Sequence, residues 1–246
     1  MFTASIDPQT LDRATRSVTA LVDEAKVELA EGGLRINTVD PAKVGAVSLD
    51  LLAEAFQEYE SDGTQVYLDL KRAQDILSQT GNYDTVEIDL DAQDRNLHFK
   101  TEGYNFEFSL LTQDSARSGL DPHDLNGSAK IVIDGEKFTR AISIGSMFSE
   151  QIRMGVDQQR GIFYMIAKGD NDGMHMTLGE DDLEDLEPAK AYGLYSLDYL
   201  QEISRAIPND VDVCLELGQE EPLKTQYQIA EDNGRVTFGL APRIEN

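Results

Sequence analysis

From Pro8 onward, apolar residues fall at Leu11, Ala14, Val18 and Leu21, a spacing of three and four that lines one face of a helix. Asp7 stands just before Pro8, where an acceptor side chain caps the first turn and proline fits it, so a helix is predicted over 8–22. Similar stripes predict helices over 71–79, 136–148 and 198–206, with Asp134 as the cap of 136–148. Elsewhere the period drops to two. Val86, Ile88 and Leu90; Tyr104, Phe106, Phe108 and Leu110; Met174, Met176 and Leu178; and Val236, Phe238 and Leu240 each predict a strand with one apolar face. Asp170–Gly173, DNDG, is a hairpin-turn sequence, and the Gly-, Pro-, Ser- and Asn-rich stretch 113–127 reads as a linker.

The chain repeats itself. SIDPQTLDRA from Ser5 aligns with VIDGEKFTRA from Val132, matching Ile6, Asp7, Arg13 and Ala14 to Ile133, Asp134, Arg140 and Ala141. Tyr67–Leu77 resembles Tyr195–Ser204, each a short strand leading into an amphipathic helix, and each is followed by an alternating strand, VEIDL or VDVCLEL. A repeat of this length predicts two copies of one α+β domain, 1–112 and 128–246, joined by the connector 113–127.

Charge changes the picture. Among 246 residues, 46 are acidic and 21 basic, a formal net charge of −25, and the acids are spread along the whole length. Such a surface repels itself unless salt screens it, and at about 1 M salt the screening length falls to roughly 3 Å. We read the balance as adaptation to a very salty cytoplasm; an acidic mimic of nucleic acid is the rival reading. Against that background, Arg13, Arg16, Lys71, Arg72, Lys137, Arg140 and Arg205 all fall on the four predicted helices, and Lys71 with Asp75 is spaced for an ion pair. That enrichment points to a polyanionic partner.

Catalytic signals are sparse. His98, His123 and His175 form no metal-binding pattern, and no phosphate-binding loop or nucleophile elbow occurs. Cys214 is the only cysteine, and alternation in VDVCLEL sets it opposite Val213 and Leu215, as a structural thiol. The start, MFTASIDPQT, has no signal-peptide pattern, and no apolar run reaches the roughly 18 residues needed to span a bilayer, so a soluble, cytoplasmic protein is expected. The acidic run Gly179–Pro188 reads as a solvated loop. It is also the basis of the different-class alternative, a halophilic metal-dependent hydrolase using carboxylates between Asp181 and Asp185.

Two stretches resemble a known family. LRINTVDPAKVGAVSLDL, 34–51, and LKTQYQIAEDNGRVTFGLAPRIEN, 223–246, are similar to the early signature and the C-terminus of the proliferating cell nuclear antigen family of sliding clamps, and SLDYLQEISRAIP, 196–208, fits its last helix. The resemblance runs the length of the chain. It implies a DNA-clamp fold: two similar domains, each with two pore-lining helices and antiparallel sheets, closing into a homotrimeric ring on DNA. It implies no enzymatic activity, no cofactor and no metal. The seven helix bases would face duplex DNA without reading its sequence. Clamp loader, DNA polymerase, flap endonuclease and DNA ligase would bind through a glutamine–aromatic peptide, in a pocket of Val39, Val44, Leu125, Pro222, Ala241, Pro242, Arg243 and Ile244. Ala241 would offer its backbone to the peptide's glutamine. The connector is polar there, with Leu120 and Leu125 as its only large aliphatics. Phe106, Phe108 and Leu110 on one edge strand, and Met174, Met176 and Leu178 on another, would join the subunits. A checkpoint-type clamp subunit, normally part of a heterotrimer, is the near alternative.

Overall fold

Residues 1–78, 85–112 and 121–244 are described by a computed structural model. Its elements run β1 (Phe2–Ile6), α1 (Pro8–Thr19), β2 (Glu24–Ala30), β3 (Gly33–Val39), β4 (Gly45–Leu52), β5 (Glu58–Ser61), β6 (Thr64–Asp69), α2 (Leu70–Leu77), β7 (Val86–Asp91), β8 (Asn96–Thr101) and β9 (Tyr104–Ser109). The second half repeats that order: β10 (Ala129–Asp134), α3 (Gly135–Gly145), β11 (Gln151–Asp157), β12 (Ile162–Lys168), β13 (Gly173–Leu178), β14 (Asp185–Glu187), β15 (Ala191–Ser196), α4 (Leu197–Ala206), β16 (Asp212–Leu217), β17 (Leu223–Ile229) and β18 (Gly234–Leu240). The duplication seen in SIDPQTLDRA and VIDGEKFTRA is thus a duplication of the whole element sequence.

Two compact units result. One comprises Met1–Lys43, Val47–Leu120 and Gln228–Val236; the other Val44–Ala46, Asp121–Tyr227 and Thr237–Asn246. In the first, strands order β5-β1-β7-β8-β9 and β4-β3-β2-β6; in the second, β14-β10-β16-β17-β18 and β13-β12-β11-β15. Equivalent strands hold equivalent places. β1 pairs antiparallel with β7, Ala4 opposite Ile88, as β10 pairs with β16, Ile131 opposite Leu215.

The two predicted caps, Asp7 and Asp134, form, and Asp69 supplies a third that the sequence reading did not name. Thr10 N–H donates to Asp7 Oδ2 at 2.8 Å, Lys137 N–H to Asp134 Oδ1 at 2.8 Å, and Arg72 N–H to Asp69 Oδ1 at 2.8 Å. Each satisfies an amide that the helix leaves orphaned. α1 ends at Thr19 rather than Val22: Thr19 Oγ1 donates back to the Thr15 carbonyl, and the last turn tightens through Leu21 N–H to Val18 O. α3 ends at Gly145 and gives way to turns through Phe148. Gln79, in the second predicted helix, lies outside the described residues, as does the connector from 113 to 120.

Cores form where the periodicities place them. Ile6, Val18, Val27 and Val47 are buried in the first unit, and Ile131, Ile133, Phe138, Ile142, Phe163 and Leu200 in the second. Each such side chain contributes about 1.5–3 kcal/mol of burial. Two segments differ from the sequence reading. The acidic run 179–188 is partly ordered: Leu183 is buried, and Asp185–Glu187 pairs with β10, where Lys130 reaches both Asp185 and Glu187. On β18, the alternating residues Thr237 and Gly239 are buried as well, so both faces are covered. Among the described residues, no helix is long and apolar enough to cross a membrane.

Candidate functional site

α1 and α2 pack side by side in the first unit, tied by Thr19 Oγ1 donating to Gln74 Oε1 at 2.9 Å. α3 and α4 do the same in the second, where Gln201 Nε2 donates to Ser146 Oγ at 2.9 Å. Each helix buries one face, such as Ala14 and Val18 on α1, with Ser17 buried beside them and donating to the Arg13 carbonyl. The bases stay outside: Arg16, Lys71, Arg72, Lys137, Arg140 and Arg205 are exposed, and Arg13 is half-buried. Arg13 and Arg16 also line a cleft of about 420 Å³ with Gln9, Asp12 and Gln74.

Several of these bases are matched within their own helix. Arg16 Nε lies 2.7 Å from Asp12 and Lys71 Nζ 2.7 Å from Asp75, while Arg140 pairs with Glu136 and Arg205 with Glu202. Lys137 Nζ donates to the Asp182 carbonyl at 2.6 Å. Across the four helices, seven bases stand against five acids (Asp12, Asp75, Glu136, Asp198 and Glu202). The whole chain has 21 bases and 46 acids. The helix faces are therefore near neutral on a strongly acidic molecule. Exposed pairs of this kind contribute about 0–1 kcal/mol, so a phosphate can displace the acid at little cost.

The second unit brings together several residues assigned to the partner pocket. Ala241 N–H donates to the Val44 carbonyl at 2.9 Å, and Arg243 N–H to the Leu194 carbonyl at 2.7 Å. The Ala241 amide is thus engaged within its own unit. Leu125 lies over Gly239: a Cβ built there would come within 2.7 Å of Leu125 Cδ1, with Pro122 and Ala46 next. A larger residue there would have to push the Leu125 side chain aside. Pro222 and Pro242 are half-buried, and Ile244 stands in solvent at 88% exposure. Val39 is buried in the first unit, beside a cleft of about 450 Å³ lined also by Leu21, Val22, Thr38 and Pro41. Leu120 lies outside the described residues.

The two candidate subunit-joining strands are both sheet edges: β9 ends the order β5-β1-β7-β8-β9, and β13 begins β13-β12-β11-β15. Their apolar faces turn partly inward. Phe108 is 8% exposed and meets Phe99 edge-on at 5.1 Å, and Leu178 is 9% exposed. Met174 Cε would lie 3.3 Å from a Cβ built on Gly145 of α3. Phe106, Leu110, Met174 and Met176 are half-buried. Three more exposed neighbours stand outside the expected subunit-joining set: Tyr104, which belongs to the same alternating strand and stacks on Phe106 at 5.8 Å, and Ile144 and Met147 flanking the end of α3.

Among the described residues, no group of three or more His, Cys, Asp or Glu side chains is placed to hold a metal ion, so the hydrolase reading gains no support from geometry. Burial and nearby Glu216 push the Cys214 thiol up, which makes it a poor nucleophile at neutral pH.

Comparison with known proteins agrees with this geometry. The proliferating cell nuclear antigen N-terminal domain family matches residues 1–112. The DNA polymerase sliding clamps of Natronomonas pharaonis and Haloarcula marismortui are each 44% identical to the chain over 100% of both lengths. The A. fulgidus PCNA, solved with the C-terminal region of FEN-1 bound, is 28% identical with a TM-score of 0.93 over 100% of both chains. PCNA from Thermococcus kodakaraensis shares the fold at a TM-score of 0.88, over 99% of this chain and 100% of its own. Similarity this high over the full length makes the chain a member of the proliferating cell nuclear antigen family, the DNA polymerase sliding clamps.

Proposed function

We propose that three copies of this chain close head-to-tail into a ring around duplex DNA and tether replication and repair enzymes to it, without sequence readout and without catalysis of their own. The observation that carries this reading is the contrast between four near-neutral helix faces and a chain of net charge −25. Arg13, Arg16, Lys71, Arg72, Lys137, Arg140 and Arg205 face the duplex. The free edges of β9 and β13 pair between subunits, with Phe106, Leu110, Met174 and Met176 at their margins and Tyr104, Ile144 and Met147 covered by the neighbouring copy. Phe108 and Leu178 support those strands from inside their own units. Two unlike edges make a heterologous contact, and three such contacts close a ring.

Attraction alone does not hold such a protein on DNA. Binding that rests on phosphate contacts falls by about 10³–10⁵ between 50 and 200 mM salt for 6–10 contacts. A closed ring needs no attraction once it is on, and the helix bases then serve to remove repulsion and centre the duplex. The haloarchaeal relatives fit this salt-tolerant design. Clamp loader, polymerase, flap endonuclease and ligase dock by glutamine–aromatic peptides on the pocket around Leu125, Ala241 and Pro242, with Val44, Pro222, Arg243 and Ile244 as further contacts. The FEN-1 segment bound to the A. fulgidus relative supports that assignment.

The test is topological. Loaded onto nicked circular duplex in molar KCl, the protein should co-elute with the DNA and be released when the circle is linearised. Equal retention on circular and linear duplex would contradict encirclement.

A further inference from the structure

Lys224, the second residue of β17, stands directly opposite Glu216 on β16. It is 8% exposed, although lysine is almost never buried unless paired. Its Nζ lies 3.1 Å from Glu216 Oε1 and donates to the Leu125 carbonyl at 3.1 Å. The second carboxylate oxygen, Glu216 Oε2, accepts from Gly127 N–H at 3.2 Å. Both charges therefore end on the backbone of the connector. Gly127 lies flat against β16, where a Cβ would come within 2.3 Å of the Leu217 amide nitrogen. The Leu125 side chain, one of the pocket residues, rests on Gly239.

We propose that Lys224 and Glu216 are positioning residues for the partner pocket, fixing the Leu125 carbonyl and the Gly127 amide so that the Leu125 side chain stays in the pocket wall. The inference rests on the pocket assignment made above. Apolar residues could close β16 on β17 equally well, since replacing a buried ion pair by hydrophobic groups is often neutral for stability. They could not hold a carbonyl and an amide two residues apart. Burial of Lys224 and partial burial of Glu216 shield the pair from salt more than exposed pairs such as Lys71–Asp75.

The test is titration of the full-length protein, in molar KCl, with a synthetic peptide carrying a glutamine, an aliphatic residue and paired aromatics. Lys224→Met should weaken binding about tenfold, the loss of a hydrogen bond to a charged group. The swap Lys224→Glu with Glu216→Lys restores an ion pair but leaves a carboxylate that cannot donate to the Leu125 carbonyl and an ammonium that cannot accept from Gly127. It should remain weakened. Lys224→Met with Glu216→Leu gives a folded variant without charges and should be weakened as well. Adding Lys224→Met to Leu125→Ala should cost little beyond Leu125→Ala alone, because both act through one side chain. Wild-type affinity in Lys224→Met, or full rescue by the swap, overturns the inference while Leu125→Ala still weakens binding. A wild-type protein that does not bind the peptide overturns the pocket assignment and the inference together.

Discussion

Arg16 and Asp12 sit one turn apart on α1, with the arginine Nε 2.7 Å from the carboxylate and both side chains half-exposed. A base on the proposed DNA face is thus paired within its own helix until a phosphate displaces the carboxylate. Asp12→Asn removes that competitor and should tighten DNA binding by about 0–1 kcal/mol at fixed salt, read by titration. Reversing Arg13, Arg16, Lys71 and Arg72 to Glu should leave the assembly mass unchanged while abolishing stimulation of a polymerase. Full stimulation by the reversed variant would place those residues elsewhere.

Removing the chain from Pro242 onward should abolish recruitment by glutamine–aromatic peptides, a loss of about 2 kcal/mol or more at the centre of such an interface. The fold should be nearly unaffected. The main structural bond lost is Arg243 N–H to the Leu194 carbonyl, about 1 kcal/mol. Peptide titration beside denaturant unfolding separates the two effects, and unchanged peptide affinity would refute the assignment.

Much of this fold is legible in local sequence because its causes are local. Asp7 and Asp134 cap helices through bonds to residues three positions on, and Lys71 meets Asp75 one turn away. The element order of one half repeats in the other, so SIDPQTLDRA and VIDGEKFTRA announce the duplication. What the sequence conceals depends on distant neighbours. Lys224 looks like an ordinary strand lysine until Leu125, 99 residues away in sequence, supplies its acceptor. Gly239 interrupts an alternating strand for no local reason, and the distant Leu125 methyl lies in the space its side chain would take. Phe108 and Met174 alternate as an exposed apolar face would, yet Phe99 and α3 cover them. The acidic run 179–188 reads as loop because its pairing partner, β10, lies some 50 residues earlier.

Alkaline stability should follow the buried phenols. Burial raises Tyr59 from 10.0 to about 12 and pushes Tyr195 higher still. The unfolded chain then loses these protons first, so the folded state holds more protons above pH 10. The stability contribution is fully present below pH 10 and falls as pH rises through about 12. Denaturant midpoints measured across that range should drop steeply, and Tyr59→Phe should blunt the drop. A midpoint independent of pH there would show the Tyr59 phenol to be freely ionising.

Charge makes closure of the ring conditional on salt. Each chain carries −25, and at 0.01 M salt that charge acts over about 30 Å, against roughly 3 Å at 1 M. The direct measurement is solution mass by light scattering as KCl is lowered from molar to millimolar concentration. The account predicts three times the chain mass of 27.3 kDa in molar KCl, and dissociation as salt is withdrawn. A trimer indifferent to salt would contradict the charge argument, and a constant monomer mass across the whole range would contradict the ring.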